Sequence, residues 1–292
     1  MMASPEYYIF TGRDGEVVPR HVTHVLIDKA LKFVPAWAFY NHFKIQEVIC
    51  HDGVIKIEKY AFSGCINLRR VIMLNVEEVE YDAFRHCRAL TSVEYGKLEI
   101  IREYSFGGCE SLSSIDLPSI KILERYAFNR CTNLINVKFG KDLESIGEKA
   151  FLCCTSLERI AIPLKDGMIT IDDAFQYCAK LDRIDLLGGA RETIHAFLFE
   201  EWKNDMNEEI DAINQILPNT YADYWDEVGA KTQAIRTWIT SVLRKYVYYK
   251  AEHRRILDVA ATTLQPVLPN DIVFKNVLPF LELPPHTFQG EE

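Results

Sequence analysis

The sequence predicts an α/β solenoid in which about seven to eight coils of 22–24 residues form a parallel sheet, followed by an α-helical C-terminal unit. A phenylalanine recurs every 22 to 24 residues between Phe39 and Phe175. A cysteine follows most of these phenylalanines after three residues, and aliphatic residues follow after six and nine. Beyond residue 189 the repeat stops, and apolar residues take up the spacing of helices.

Seven aligned segments share the pattern F-x-x-C-x-x-L-x-x-[VI]-x-φ, where φ is an apolar residue. The first column consists of Phe39, Phe62, Phe84, Phe106, Phe128, Phe151 and Phe175. The second column begins with His42 and continues with Cys65, Cys87, Cys109, Cys131, Cys154 and Cys178. The last two positions of the pattern alternate with period two, as in a short strand with one buried face. We therefore expect the columns to form ladders in the interior.

The chain is predicted to have three parts, because a single coil cannot bury its apolar edge and neighbouring coils must share one core. Residues 1–31 are expected to form an N-terminal capping half-coil, since Val25 and Ile27 repeat the strand spacing without a preceding Phe and Cys. Residues 32–188 form the solenoid in this prediction. Residues 189–292 form a helical C-terminal cap or a small domain.

Helical spacing in the last part of the chain predicts helices over residues 192–216 and about 226–264. A third helix is predicted over 270–281, between Pro269 and the pair of prolines that begins at Pro284. We expect this helical unit to close the open end of the solenoid, because a terminal repeat needs a cap with a polar outer face.

Over residues 22–187 the repeat resembles the BspA-like class of leucine-rich repeats, whose consensus is similar to I-x-x-x-A-F-x-x-C-x-x-L-x-x-I-x-L. The cysteine precedes the leucine here, whereas the more widespread leucine-rich repeat places its Asn or Cys after the L-x-L strand. The resemblance implies a parallel sheet on one side of the solenoid, a ligand-facing surface, and proteins as partners. Members of this class are often cell-surface proteins, and the resemblance implies no catalytic residue.

The eight cysteines allow a structural, a metal-binding or a disulfide interpretation. Zinc sites use closely spaced pairs that converge from two turns, whereas six of these cysteines lie 22 to 24 residues apart in one column. Parallel side chains in a packed interior also disfavour the dihedral angle of a disulfide. We favour a ladder of buried free thiols, with a metal site or a disulfide as the alternative. Cys153 lies outside the column, and we expect it to be the exposed thiol, although a buried position is also open.

Composition narrows the classes of function. The formal net charge of −9 argues against a general affinity for nucleic acid, which requires a basic footprint. The sequence has no apolar run of 18 residues and no recognisable signal peptide, so we expect no membrane span and a cytoplasmic location. Phosphate-binding and nucleophile motifs are missing, and no histidine pair has the spacing of a metal site. We therefore expect no catalytic site, no cofactor and no bound metal.

The leading hypothesis is a non-enzymatic scaffold that binds a protein of unknown identity through the exposed face of the repeat sheet. Residues eight, ten and twelve positions after each Phe should point outward, and Ile49, Ile72 and Leu74 form an apolar patch there. The candidate partner surface consists of Glu47, Ile49, His51, Arg70, Ile72, Leu74, Glu94, Asp116, Lys138, Arg159, Arg183 and Asp185.

Two alternatives come from other parts of the chain. An enzyme could place its site in the groove between the repeats and the helical unit, although the sequence supplies no motif for it. Nucleic acid could bind through residues 244–255, RKYVYYKAEHRR, where basic and aromatic residues alternate. A solvated helix face is the simpler interpretation of that segment, because Asp and Glu outnumber Lys and Arg over residues 189–292.

Overall fold

A computed structural model describes residues 7–163, 173–187, 194–220 and 230–264. The chain forms a parallel β-solenoid of about seven turns, followed by a region of two helices. The predicted fold class is confirmed. The predicted third helix over residues 270–281 lies outside the described residues.

The longer strands form the front sheet, which is divided into two sections. All of its described pairs are parallel. The first section consists of β1 (Tyr8–Phe10), β2 (His24–Ile27), β4 (Glu47–Ile49), β6 (Arg70–Ile72) and β8 (Ser92–Glu94). The second section consists of β10 (Ser114–Leu117), β12 (Asn136–Phe139), β14 (Arg159–Ile162) and β15 (Arg183–Leu186).

Two-residue strands form a parallel back sheet, which supplies the second extended stretch of each coil. Its strands are β3 (Phe33–Val34), β5 (Lys56–Ile57), β7 (Glu78–Val79), β9 (Ile100–Ile101), β11 (Ile122–Leu123) and β13 (Ser145–Ile146). In each of these two-residue strands the second residue points into the core, where it fills the space between the two sheets. The aliphatic residue five positions before each Phe from Phe39 to Phe151 is therefore an interior position.

The phenylalanine column is a continuous stack of buried rings. From Phe39 to Phe175, neighbouring ring centroids lie 4.9 to 5.5 Å apart, and the ring planes differ by 2° to 11°. Each ring therefore contacts the ring of the coil before it and that of the coil after it. This spacing matches the distance of about 4.8 Å between hydrogen-bonded strands.

Each thiol of the cysteine column donates a hydrogen bond to the carbonyl oxygen of the Phe in the preceding coil. The distances are 3.0 to 3.3 Å, from the bond of Cys65 to Phe39 through that of Cys178 to Phe151. In the first coil His42 lies in the same column, and its Nε2 lies 3.0 Å from the carbonyl oxygen of Pro19. The cysteines of the column are buried free thiols with a structural role, as predicted. Cys153 is partly buried rather than fully exposed.

Tight turns around each Phe place two residues per coil in the left-handed region of backbone conformation. Trp37 has φ of 63° and Asn41 has φ of 55°, which is unusual for a residue as bulky as tryptophan. The N–H of Trp37 donates to the carbonyl of Lys59 in the next coil, and the N–H of Asn41 donates to that of Ser63. These bonds between coils stabilise the turns, since they satisfy backbone donors that face the next layer.

The front sheet is interrupted between β8 and β10, which are not paired in the described structure. In the preceding coil the N–H of Met73 donates to the carbonyl of Glu94 at 2.8 Å. At the interruption the equivalent carbonyl, that of Asp116, accepts instead from the hydroxyl of Tyr95 at 2.6 Å. The phenol thus takes the place of the backbone donor, and a groove opens between the two strands.

The N-terminal edge of the front sheet is formed by β1, a strand that the repeat pattern did not predict. The carboxylate of Glu16 accepts hydrogen bonds from the backbone N–H of Thr11, from its hydroxyl, and from the hydroxyl of Tyr8. Glu16 therefore satisfies hydrogen-bond donors of Tyr8 and Thr11 at the edge strand, and these donors would otherwise be exposed to water. The prediction of a capping half-coil over residues 1–31 stays a prediction.

The predicted helix over residues 192–216 is interrupted, since residues 194–195 are helical and a longer helix begins at Glu200. Helix α1 spans Glu200–Ile216, a short 3-10 turn spans Leu217–Asn219, and helix α2 spans Ala230–Leu264. Both helices contain the apolar spacing seen in the sequence, and residues 226–229 of the second predicted helix lie outside the described residues. Their packing is centred on Trp202 of α1, whose ring stacks on that of Tyr249 of α2 at 5.1 Å.

Candidate partner-binding face

The twelve predicted surface residues all lie on or at the ends of the front-sheet strands, with side chains on the outer face. Their neighbours in β4, β6, β10, β12, β14 and β15 point into the core, as the predicted alternation requires, whereas Val93 of β8 is only partly buried. Exposed positions are occupied by His51, Arg70, Leu74, Asp116, Lys138, Arg159 and Arg183. Partly buried positions are occupied by Glu47, Ile49, Ile72, Glu94 and Asp185.

An aliphatic row crosses four neighbouring strands in register. Ile9 of β1 pairs with Leu26 of β2, which aligns with Ile49 of β4 and then with Ile72 of β6. Ile9 is 53% exposed, and Leu74 at the end of β6 is 47% exposed. We call these five residues the apolar row. Ile9 and Leu26 were not predicted as surface residues, because the segments that contain them lack the Phe and Cys that anchor the alignment.

A charged row lies beside the apolar row. The guanidinium of Arg70 bonds to Glu47 at 2.9 Å and to Glu94 at 2.7 Å. Glu47 also accepts from the hydroxyl of Tyr7 at 2.8 Å, and this hydrogen bond raises the pKa of Tyr7. Two carboxylates thus share one guanidinium, which leaves this row with a net negative charge.

The second section of the front sheet is polar and charged. The carboxylate of Asp185 in β15 pairs with Arg159 of β14 and with Arg183 of its own strand. Lys138 and Asp116 lie 4.0 Å apart at exposed positions, where an ion pair contributes little to stability. The apolar row therefore ends at β6, before the interruption between β8 and β10, and no such row continues on the described strands beyond it.

The groove at this interruption has a volume of about 320 Å³. It is lined by Val93, Leu112 and Ile115, which we call its apolar floor because the last two are almost fully buried, and by Tyr95 and Ser114. The carboxylates of Glu94 and Asp116 lie at its rim. Burial raises the pKa of Tyr95, so its hydroxyl stays protonated and remains a hydrogen-bond donor. The sequence shows a tyrosine where other coils have apolar residues, but the groove it creates was not predicted.

The basic segment 244–255 lies within α2 and is partly engaged by α1. Lys245 pairs with Asp205 and with Glu209, both at 2.9 Å, and the hydroxyl of Tyr249 donates to Asp205. Arg255 pairs with Glu252 one helical turn before it. Lys245 and Arg255 therefore already have acidic partners. Their pairing weakens the case for a surface that binds phosphates.

Several contacts between the repeats and the helical region join side chains of the helices to the backbone of the last coil. The amide group of Asn214 donates to the carbonyl of Ile184 at 3.2 Å and accepts from its N–H at 2.8 Å. The ammonium group of Lys231 donates to the carbonyls of Ala179 and Leu181 at 2.7 and 2.8 Å. Arg236 of α2 also pairs with Asp173 of the last coil at 3.3 Å. The enzyme hypothesis would require several reactive groups that converge on one pocket here.

Of the helices within the described ranges, none combines the length and hydropathy that a membrane span requires. The described residues also contain no group of three or more His, Cys, Asp or Glu side chains arranged to hold a metal ion.

The profile of the BspA type Leucine rich repeat region matches residues 20–113 and 99–221, with six copies of the repeat. These segments cover well over half of the chain, so the protein belongs to this family. Comparison with curated protein sequences finds no match.

Three solved structures illustrate the similarity. The T. pallidum leucine-rich repeat protein TpLRR is 27% identical over 48% of this chain and 68% of its own, with a TM-score of 0.43. A leucine-rich repeat protein from Bacteroides ovatus is 22% identical over 57% and 61%, with a TM-score of 0.30. The pneumococcal vaccine antigen PcpA is 20% identical over 62% and 54%, with a TM-score of 0.41. The match thus spans between 54% and 68% of the lengths of these proteins.

Proposed function

We propose that this protein is a non-enzymatic scaffold that binds a protein partner through the first section of its front sheet. The observation that carries the proposal is the apolar row, in which Ile9, Leu26, Ile49 and Ile72 align across four strands on the outer face. Membership of the leucine-rich repeat family supports a scaffold whose partners are proteins.

Leaving the apolar row in contact with water costs free energy. Each aliphatic side chain that a partner covers contributes about 25 cal/mol for every Å² of apolar surface removed from water. A contiguous row concentrates that gain in one place, and the charged row of Glu47, Arg70 and Glu94 gives a polar rim at its side. An apolar centre with a polar rim is the usual composition of a protein interface.

An intracellular location is part of this proposal. The described cysteines are free, and most of them are buried donors to backbone carbonyls. Free thiols agree with a reducing compartment.

The experiment is affinity capture from native cell extract, followed by mass spectrometry, with the wild type and an Ile49→Glu, Ile72→Glu, Leu74→Glu variant as baits. Ile55→Glu serves as the matched control, because Ile55 is 45% exposed and precedes β5 of the back sheet. We expect a partner that the wild type and the control capture and the triple variant loses. Equal capture by all three baits would overturn the proposal, provided that all three show the same thermal unfolding.

We also propose that the helical region caps the open end of the solenoid. Asn214 pairs with both backbone groups of Ile184, which is the hydrogen bonding that a further strand would supply. The side chains of Ile210 and Ile213 on the same helix are buried, as are those of Ile184 and Leu186 in β15. This arrangement supports a cap that satisfies the edge of β15 and covers the end of the core.

A further inference from the structure

The interruption of the front sheet leaves a groove with an apolar floor and an acidic rim. In a continuous sheet the backbone of β8 would pair with that of β10, but here the two strands are not paired and the hydroxyl of Tyr95 bonds to the carbonyl of Asp116. Side chains that normally lie under the sheet, such as Val93, therefore become partly exposed to the groove.

The chemistry of the groove favours a long cationic side chain. Its lining, which lies entirely within described residues 93–116, contains the carboxylates of Glu94 and Asp116 and no basic side chain. Lysine and arginine have apolar stems that pack on hydrophobic surface while their charged ends stay near water or a carboxylate. The volume of about 320 Å³ accommodates one such side chain rather than a folded element.

The position of the groove links it to the apolar row. Glu94 lies directly beside Ile72 in the register of β6 and β8, so the groove begins where the apolar row ends. Arg70 already bonds to Glu94 but is shared with Glu47, and Lys138 lies 4.0 Å from the carboxylate of Asp116. These three carboxylates and two cations together carry one net negative charge. A partner that covers the apolar row would therefore meet an acidic position at the next strand.

We infer that the groove between β8 and β10 receives an arginine or lysine side chain of the partner that covers the apolar row. This inference rests on the proposed function and specifies the chemistry of the partner: an aliphatic surface with a basic residue at its border. The apolar floor accepts the stem of that side chain, and Glu94 and Asp116 accept hydrogen bonds from its charged end.

The test uses butylguanidinium as a probe of the full-length protein, with its neutral near-isostere butylurea as the control ligand. Two-dimensional amide NMR should show shifts confined to residues 93–96 and 112–116 on addition of butylguanidinium. Butylurea should bind at least about tenfold more weakly, because it lacks the charge that the two carboxylates attract. Equal binding of the two compounds, or shifts located elsewhere, would overturn the inference.

Two variants locate the site. Glu94→Gln with Asp116→Asn should weaken butylguanidinium binding by about tenfold or more, whereas Asp182→Asn, a change of the same kind at an exposed position outside the groove, should leave it unchanged. Each single substitution supplies a second measurement if the double variant folds poorly. The proposed function is decided separately by the capture experiment, because loss of capture in the triple glutamate variant does not depend on the groove carboxylates.

Discussion

The hydroxyl of Tyr95 donates to the carbonyl oxygen of Asp116 at 2.6 Å, in the place where the repeat uses a backbone N–H. Elsewhere the column that contains Tyr95 holds buried apolar residues such as Met73 and Leu117. A tyrosine in this column requires a partner for its hydroxyl. The carbonyl of Asp116 supplies that partner, and the pairing of β8 with β10 is lost.

Tyr95→Leu should restore the pairing of the two strands. A leucine fits the column, as Leu117 does in the next coil, so the backbone N–H of residue 95 can then donate to the carbonyl of Asp116. Hydrogen exchange should slow at the amides of residues 95 and 116. Tyr95→Phe is a second test, because it removes only the hydroxyl that occupies the carbonyl of Asp116. Phe139 fills the same column in a paired strand, so the amides should slow in this variant as well. Unchanged exchange in the leucine variant would show that the tyrosine is not the cause of the interruption.

Phe106→Ala should lower the free energy of unfolding by about 3–5 kcal/mol, because it leaves a cavity in the middle of the ring stack. The ring of Phe106 lies 5.2 Å from that of Phe84 and 5.4 Å from that of Phe128, and its side chain is fully buried. Denaturant unfolding measures the loss. The same change at Phe43, which is 50% exposed, should cost far less. Similar losses for the two variants would contradict the ladder as the source of stability.

Asn214→Leu should expose the edge of β15. The substitution removes the group that donates to and accepts from the backbone of Ile184, and an unsatisfied backbone group costs about 1–3 kcal/mol. The free energy of unfolding should fall by that amount, and the amide of Ile184 should exchange faster with solvent. Asn133→Ala, at an exposed position in an earlier coil, is the matched control. Unaltered exchange at Ile184 would remove Asn214 from the proposed cap.

Glu16 should make the stability of the N-terminal edge depend on pH. Burial alone would raise the pKa of the Glu16 carboxyl, but hydrogen bonds from Thr11 and Tyr8 outweigh it, and the pKa is lowered. The carboxylate therefore stabilises the fold above its unfolded pKa of about 4.3, and the contribution disappears as pH falls through the lower folded pKa.

The measurement compares the wild type with Glu16→Gln in denaturant unfolding across this range of pH. The wild type should be more stable near neutral pH, and the difference should shrink below a pH of about 4. Glu144→Gln, at an exposed position far along the chain, controls for the loss of one negative charge. A difference that is constant with pH would show that the ionised form of Glu16 is not what stabilises the edge.

The repeating columns could be predicted from sequence because each coil contacts its neighbours in the same way. The positions of Phe106 and Cys109 follow from spacing alone, and both are buried as expected. The groove beside Tyr95 could not be predicted in this way, because it depends on which of two donors reaches one carbonyl. Asn214 was missed for a similar reason: its partner Ile184 lies 30 residues away and is joined to it only by tertiary packing.

The apolar row was predicted only in part. Ile49 and Ile72 belong to coils with a complete motif, so their orientation followed from the alignment. Ile9 and Leu26 belong to the N-terminal edge, where strand pairing with β4 rather than a motif fixes the register. The partner-binding role of all these residues remains a proposal, since it depends on a molecule that recognises them.

The bond from each cysteine to the Phe of the coil before it also bears on how such a chain can change during evolution. Because every internal layer repeats the same ring contact and the same thiol bond, gain or loss of one whole coil of 22–24 residues leaves the neighbouring layers with matching surfaces. Insertion of a single residue between Phe84 and Cys87 would instead move the thiol away from its acceptor. Length in this protein can therefore vary in steps of one layer, and each step would shift the helical region by about 4.8 Å relative to the apolar row.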